Sequence, residues 1–142
     1  MIARPNIVLD TNVLIAALRS DAGSANRLFL LIGENQFDIS LSVPLVLEYE
    51  EVCIRMASQL LWTRADVDDI LDYLCSVARR TEIHFKWPIL TDSDDDMILE
   101  LAVAAQCNYI VTFNKSHFAG AAQFGIRICT PYEFLIALGR NP

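Results

Sequence analysis

Apolar positions along this chain follow two rhythms: short unbroken runs, and longer stretches in which they recur every three or four residues. Ile7-Val8-Leu9 and Tyr109-Ile110-Val111-Thr112 are unbroken runs, the signature of strands covered on both faces in a parallel sheet. Phe37-Asp38-Ile39-Ser40-Leu41 alternates like a strand, Ile126-Arg127-Ile128-Cys129 is a short last one, and Glu82-Ile83-His84-Phe85 is a weaker one. Between them lie helical patterns. Strand 6–9 leads into helix 12–19, and Ser24 can cap a helix running to about Gly33. Ser42 caps a longer helix through Leu47, Glu48, Val52 and Met56, with Pro44 tolerated in its first turn. Thr63-Arg64-Ala65-Asp66 resembles a capping box and opens helix 64–79, with Val67, Ile70, Leu71, Leu74 and Val77 inward. Helices 95–106 and 131–138 complete the set, the last opened by Thr130-Pro131.

Strands alternating with helices predict an α/β fold, a three-layer α/β/α sandwich with a parallel sheet of about five strands. Residues 1–142 read as a single domain, without repeat, low-complexity tract or linker. No apolar run reaches the roughly 20 residues that span a bilayer. The first residues, Met1 to Asn6, lack the apolar segment of a signal peptide, so a cytoplasmic location is expected. Cys53, Cys75, Cys107 and Cys129 stand far apart within apolar segments, with no CxxC pair and no histidine beside them. They read as buried, reduced thiols and not as a zinc site.

Asp10 ends the first strand, and ligands of open α/β sheets bind outside the carboxyl ends of the strands. A second acidic cluster, Asp92-Ser93-Asp94-Asp95-Asp96, opens a helix that feeds the strand ending at Thr112-Phe113-Asn114. If those two strands are neighbours, Asp10, the acidic cluster and Thr112 face one crevice, and Glu48 can reach in from the side. Each residue also has an ordinary reading. Asp10 can cap a helix, Asp95 and Asp96 favour a helix N-terminus, Glu48 can face solvent, Asn114 and Lys115 can form a turn, and His117 can be a surface or packing histidine. The arrangement points further than the pieces. Several carboxylates converging with no basic residue nearby repel one another, and a divalent cation resolves the conflict. Oxygen-only ligands suit Mg²⁺ or Mn²⁺. The formal net charge of −7 speaks against holding nucleic acid by general phosphate attraction, although a bound cation would make the local field less negative. So acidic a surface also suits a basic partner.

Three segments carry a resemblance. Ile7-Val8-Leu9-Asp10-Thr11-Asn12-Val13-Leu14-Ile15, Leu45-Val46-Leu47-Glu48-Tyr49, and Asp92 to Ala102 followed by Tyr109 to Asn114 occur in an order and spacing similar to those of the PIN-domain family. The resemblance spans roughly residues 5–135 and is to the branch of prokaryotic PIN ribonucleases and toxin–antitoxin toxins. It implies that Asp10, Glu48 and either Asp95 or Asp96 bind Mg²⁺ or Mn²⁺, a choice that one sequence leaves open. Thr11, Asn12 and Thr112 would position ligands or a water, and Asp92 belongs to the same motif. One departure stands out: many family members have a fourth acid where this chain has Asn114, an amide that can coordinate a cation but brings no charge.

The implied reaction is metal-assisted hydrolysis of a phosphodiester in single-stranded RNA. The resemblance further implies a small antitoxin as partner and a homodimer formed through helices, with no membrane association. Two rivals stand beside it. One is a non-catalytic module of the same fold acting through protein partners. The other is a phosphatase or response-regulator-like domain, which would want a lysine at the end of a late strand, the place of Lys115.

Overall fold

A computed structural model describes residues 4–83 and 93–140, with 93–95 as helix backbone. Five strands form one sheet: β1 (Asn6–Leu9), β2 (Asp38–Leu41), β3 (Arg79–Arg80), β4 (Tyr109–Val111) and β5 (Arg127–Cys129). Their order is β3-β2-β1-β4-β5, and every pairing is parallel. Helices cover both sides, as the sequence predicts for a three-layer sandwich. They are α1 (Thr11–Arg19), α2 (Ser24–Leu31), α3 (Val43–Leu60), α4 (Arg64–Val77), α5 (Ser93–Ala104) and α6 (Pro131–Ala137). Among the described residues no helix is long and apolar enough to cross a membrane.

Local chemistry places the helix starts. The Ser42 side chain accepts from the Leu45 N–H and begins α3, with Pro44 where its missing donor costs nothing. Thr63 and Asp66 form a reciprocal capping box at α4, and Thr130 with Glu133 forms another at α6. Ser24 is the first residue of α2 and not its cap, a place taken by Gly23 at φ 96°.

β1 is the central strand and is buried along its whole length, which is why it reads as an apolar run. Its one polar member, Asn6, sits in a closed hydrogen-bond set. The Asn6 N–H donates to Asn108 Oδ1 (2.8 Å), its side-chain amide donates to the Ala105 carbonyl (3.2 Å), and Ser40 Oγ donates to Asn6 Oδ1 (2.7 Å). A one-residue slip of β1 would orphan all three bonds, so Asn6 fixes the register of β1 between β2 and β4. Fully buried Leu14, Leu28, Leu45, Tyr49, Leu74, Ile98, Phe118 and Phe134 fill the core. The Phe134 ring meets Phe37 and Tyr109 edge-on at 5.2 and 5.3 Å, joining α6 to the sheet.

Two predicted elements move. Helix 64–79 stops at Val77 because Ala78 turns extended (ψ 157°). The edge strand then forms at once, at residues 79–80, where the sequence suggests 82–85; Glu82 and Ile83 are not in a strand, and 84–85 lie outside the described residues. An ion pair from Arg79 to Asp38 (3.0 Å), which Arg4 also pairs at 3.3 Å, secures this short edge. The second difference is a 3₁₀ stretch, Lys115–Phe124, between β4 and β5, where the sequence offers no periodic signal. All four cysteines are free, and Cys53, Cys107 and Cys129 are buried. Burial pushes the Cys107 thiol up to about 11 and Cys129 to about 12, so both stay neutral.

Candidate functional site

The sheet's switch point lies between β1 and β4, since the chain leaves β1 toward β2 on one side and later returns to β4 on the other. Asp10 sits there. Its N–H continues the ladder to the Val111 carbonyl (2.9 Å), while its own carbonyl already accepts from Val13 and Leu14 of α1 (2.9 and 3.4 Å). Strand and helix therefore share this residue, and its side chain is held at the carboxyl end of β1, 7% exposed.

Thr112, just past β4, is completely buried and donates from Oγ1 to Asp10 Oδ2 at 2.7 Å. The direction of that bond is fixed. The Asn114 N–H donates to the same Oγ1 at 2.9 Å, which leaves the hydroxyl proton for the carboxylate. Burial nevertheless dominates Asp10 and raises its pKa above the ordinary 3.8. The Thr112 hydrogen bond, the Thr11 N–H, the charge of His117 and the Asn12 N–H all pull the other way without prevailing.

Glu48 enters from α3. Its Oε2 accepts from the Thr11 hydroxyl in a short hydrogen bond, and Thr11 is the residue after Asp10. The neighbouring Tyr49 is fully buried and donates its phenol proton to the Leu9 carbonyl at 2.5 Å. This bond pins α3 to the last residue of β1 and so sets which way Glu48 faces. Burial, then the charges of Asp10 and Glu48, push the Tyr49 pKa well above its usual value, so the phenol keeps its proton and remains a donor.

Hydrogen bonds thus link Asp10 to Thr112 and Thr112 to the Asn114 backbone, and Glu48 to Thr11 beside Asp10. Asn12 follows on the exposed surface of the first turn of α1. Asp96 is half-buried near the start of α5, a helix that packs on β1, β4 and α3. The side chain of Asp95, and Asp92 altogether, lie outside the described residues. Among the described residues no group of three or more His, Cys, Asp and Glu side chains is close enough to hold an ion. Sequence reasoning missed one participant. Tyr49 looks like an ordinary core aromatic, and only its place beside Glu48 marks it. His117 is exposed, and its charge acts on Asp10, so the acids are not without a basic neighbour. Lys115 directs its ammonium to both oxygens of Glu133 (2.9 and 3.1 Å), away from the role a phosphatase-like reading would give it.

Residues 6–116 match the sequence profile of the PIN domain. The chain belongs to the PIN-domain family. PIN domains are generally metal-dependent nucleases, which places this one among hydrolases at family level. The fold is similar to that in a crystal structure of VapBC2 from Rickettsia felis bound to a DNA fragment from their promoter. The TM-score is 0.63 and the identity 17%, over 87% of this chain and 98% of that one. No curated protein matches the chain. The donors around Asp10 fit the metal that the family uses. They are oxygens only, and the Asp10 carboxylate carries a desolvation penalty that its hydrogen bonds do not cancel.

Two outcomes follow for this PIN domain. Tyr49→Phe leaves the buried Leu9 carbonyl without its partner and should cost about 1–3 kcal/mol in urea unfolding. Asp10→Asn should raise Tm in chelator-treated neutral buffer, because the amide escapes the desolvation cost of the buried carboxylate. The sign follows from the raised folded pKa. Above the unfolded value of 3.8 the ionised Asp10 opposes folding, so the gain should fade as pH falls below 3.8, where the side chain is neutral in both states. A Tm gain that persists unchanged in acid would contradict this account.

Proposed function

We propose that this PIN domain is a metal-dependent endoribonuclease that hydrolyses phosphodiester bonds in single-stranded RNA, acting in the cytoplasm as the toxin of a toxin–antitoxin pair. The observation that carries the reading is the buried carboxylate of Asp10 at the switch point, gripped by Thr112 and one residue from the Thr11–Glu48 bond. Asp10, Glu48 and Asp95 or Asp96 would hold Mg²⁺ or Mn²⁺, with Asp92 and the amide of Asn114 in support. The ion, when bound, polarises a phosphoryl oxygen and lowers the pKa of an attacking water.

The chain's own residues do the positioning. Thr112 spends its only proton on Asp10, which orients one carboxylate oxygen and leaves the other side of the group to the cleft. Thr11 does the same for Glu48. In the first turn of α1 the Thr11 and Asn12 N–H groups also point at the Asp10 carboxylate and help to orient it, with Asn12 itself at the surface. The neighbour solved as VapBC2 with promoter DNA supports an antitoxin partner for this chain, and an acidic surface suits a basic one. Exposed apolar side chains such as Leu30 and Ile136 suit a homodimer.

Cleavage of a generic single-stranded RNA should require Mn²⁺ or Mg²⁺, stop on chelation, and fall about a hundredfold or more in Asp10→Asn, the scale of losing a group that stabilises charge at the reacting centre. Cleavage indifferent to both would remove the nuclease and leave the binding-module reading. For the toxin role, expression of the parent chain should arrest growth and Asp10→Asn should relieve it. Unimpaired growth at high expression of active protein would sink that role alone.

A further inference from the structure

A groove of 260 Å³ opens beside Glu48, walled by Pro44, Leu47, Glu48, Glu51 and Arg55 of α3 and by Met97 of α5. We infer that this groove carries the RNA strand on one side of the cleavage point, with Arg55 holding a flanking phosphate. The inference rests on the nuclease reading and names where its substrate lies.

Positions 48, 51 and 55 fall three and four apart, so they share one face of α3. Arg55 lies seven residues beyond Glu48, about 10 Å along the axis at 1.5 Å per residue. One end of the groove is therefore the acidic centre, and the other end is a cation within reach of a neighbouring phosphate. Arg55 is the cation in this wall, and its present partner holds it loosely. Its guanidinium stands 3.6 Å from Glu51, with the two side chains 65% and 74% exposed. Such a pair contributes little, so exchange of Glu51 for a phosphate costs little. A guanidinium also matches two phosphate oxygens with two N–H groups, which a solvated carboxylate at that distance does not exploit. Lys115, by contrast, is held by Glu133, and Arg64 is shared between Glu50 and Asp68.

The remaining wall suits the rest of a nucleotide. Leu47 is 57% exposed, a large apolar side chain on the lip of a polar groove, and Met97 is adaptable enough to follow a base or a ribose. The volume falls just under the ~300–1,000 Å³ of pockets that hold drug-sized ligands, room for about one nucleotide. Room for one nucleotide at a time suits a single strand better than a duplex.

The test is fluorescence anisotropy with a short labelled single-stranded RNA and Mg²⁺, on the Asp10→Asn background so that nothing is cut. Arg55→Glu should weaken binding about tenfold and lower the salt slope by about 0.7, the value for one lost single-strand phosphate contact. Glu51→Gln should bind at least as tightly as the parent, since Arg55 gives up little when it leaves Glu51. Arg127→Glu makes the same charge change at the start of β5, at the opposite end of the sheet, and should bind within about twofold of the parent, as a contact screened over that distance requires. A duplex of the same sequence should bind more weakly than the strand. If Arg55→Glu binds like Arg127→Glu while the parent chain cleaves RNA, the strand runs elsewhere and only this inference falls. If the parent neither binds nor cleaves single-stranded RNA, the nuclease reading falls with it.

Discussion

One hydrogen bond organises this molecule: the Thr112 hydroxyl on the Asp10 carboxylate, buried where the two halves of the sheet diverge. It requires β4 beside β1 in the observed register, Leu9 opposite Val111, because only that pairing brings residues 10 and 112 level. The Asn6 bonds at the other end of β1 enforce the same register. The bond does not make burial of Asp10 favourable, since desolvation still outweighs it. It makes burial tolerable and gives the carboxylate one orientation. A group kept ionisable in a costly place, with its direction fixed, is typical of a site and not of a core.

The second carboxylate is fixed by a different route. Glu48 reaches Thr11 because Tyr49 ties α3 to the Leu9 carbonyl. Two threonines, one on each side of the switch point, thus hold two acids through hydroxyl protons, and neither brings charge. Neutral donors orient carboxylates without neutralising them, so the negative potential of the cleft stays available to a cation.

Much of this was legible in the sequence, and the reason is physical. β1, β2 and β4 are largely buried strands, so their composition is dictated by packing and their runs or alternation survive to be read; the edge strand β5 keeps that signal at its inner end, Ile128-Cys129. The helix starts are written in side chains, as Ser42, Thr63 and Thr130 demonstrate. Asp10 stands out because a carboxylate that ends an apolar run has no packing excuse. What escaped lacks such signals. β3 is two exposed arginines whose strand state comes from pairing with Ser40 and Leu41. The 3₁₀ stretch after Lys115 is rich in alanine and takes its shape from its neighbours. Tyr49 escaped for the opposite reason: an aromatic in an apolar helix is what a core wants, and its hydroxyl's errand to Leu9 appears only in three dimensions.

The bond between Asp10 and Thr112 spans 102 residues of sequence. Loop closure on that scale is slow, and parallel strands cannot pair until the crossover between them has been made. β1 therefore stays without its β4 neighbour, one flank uncovered, until residues 109–111 have been made. The pocket at the switch point is consequently a late product of chain assembly, since Asp10 cannot meet Thr112 before every crossover between them has been made.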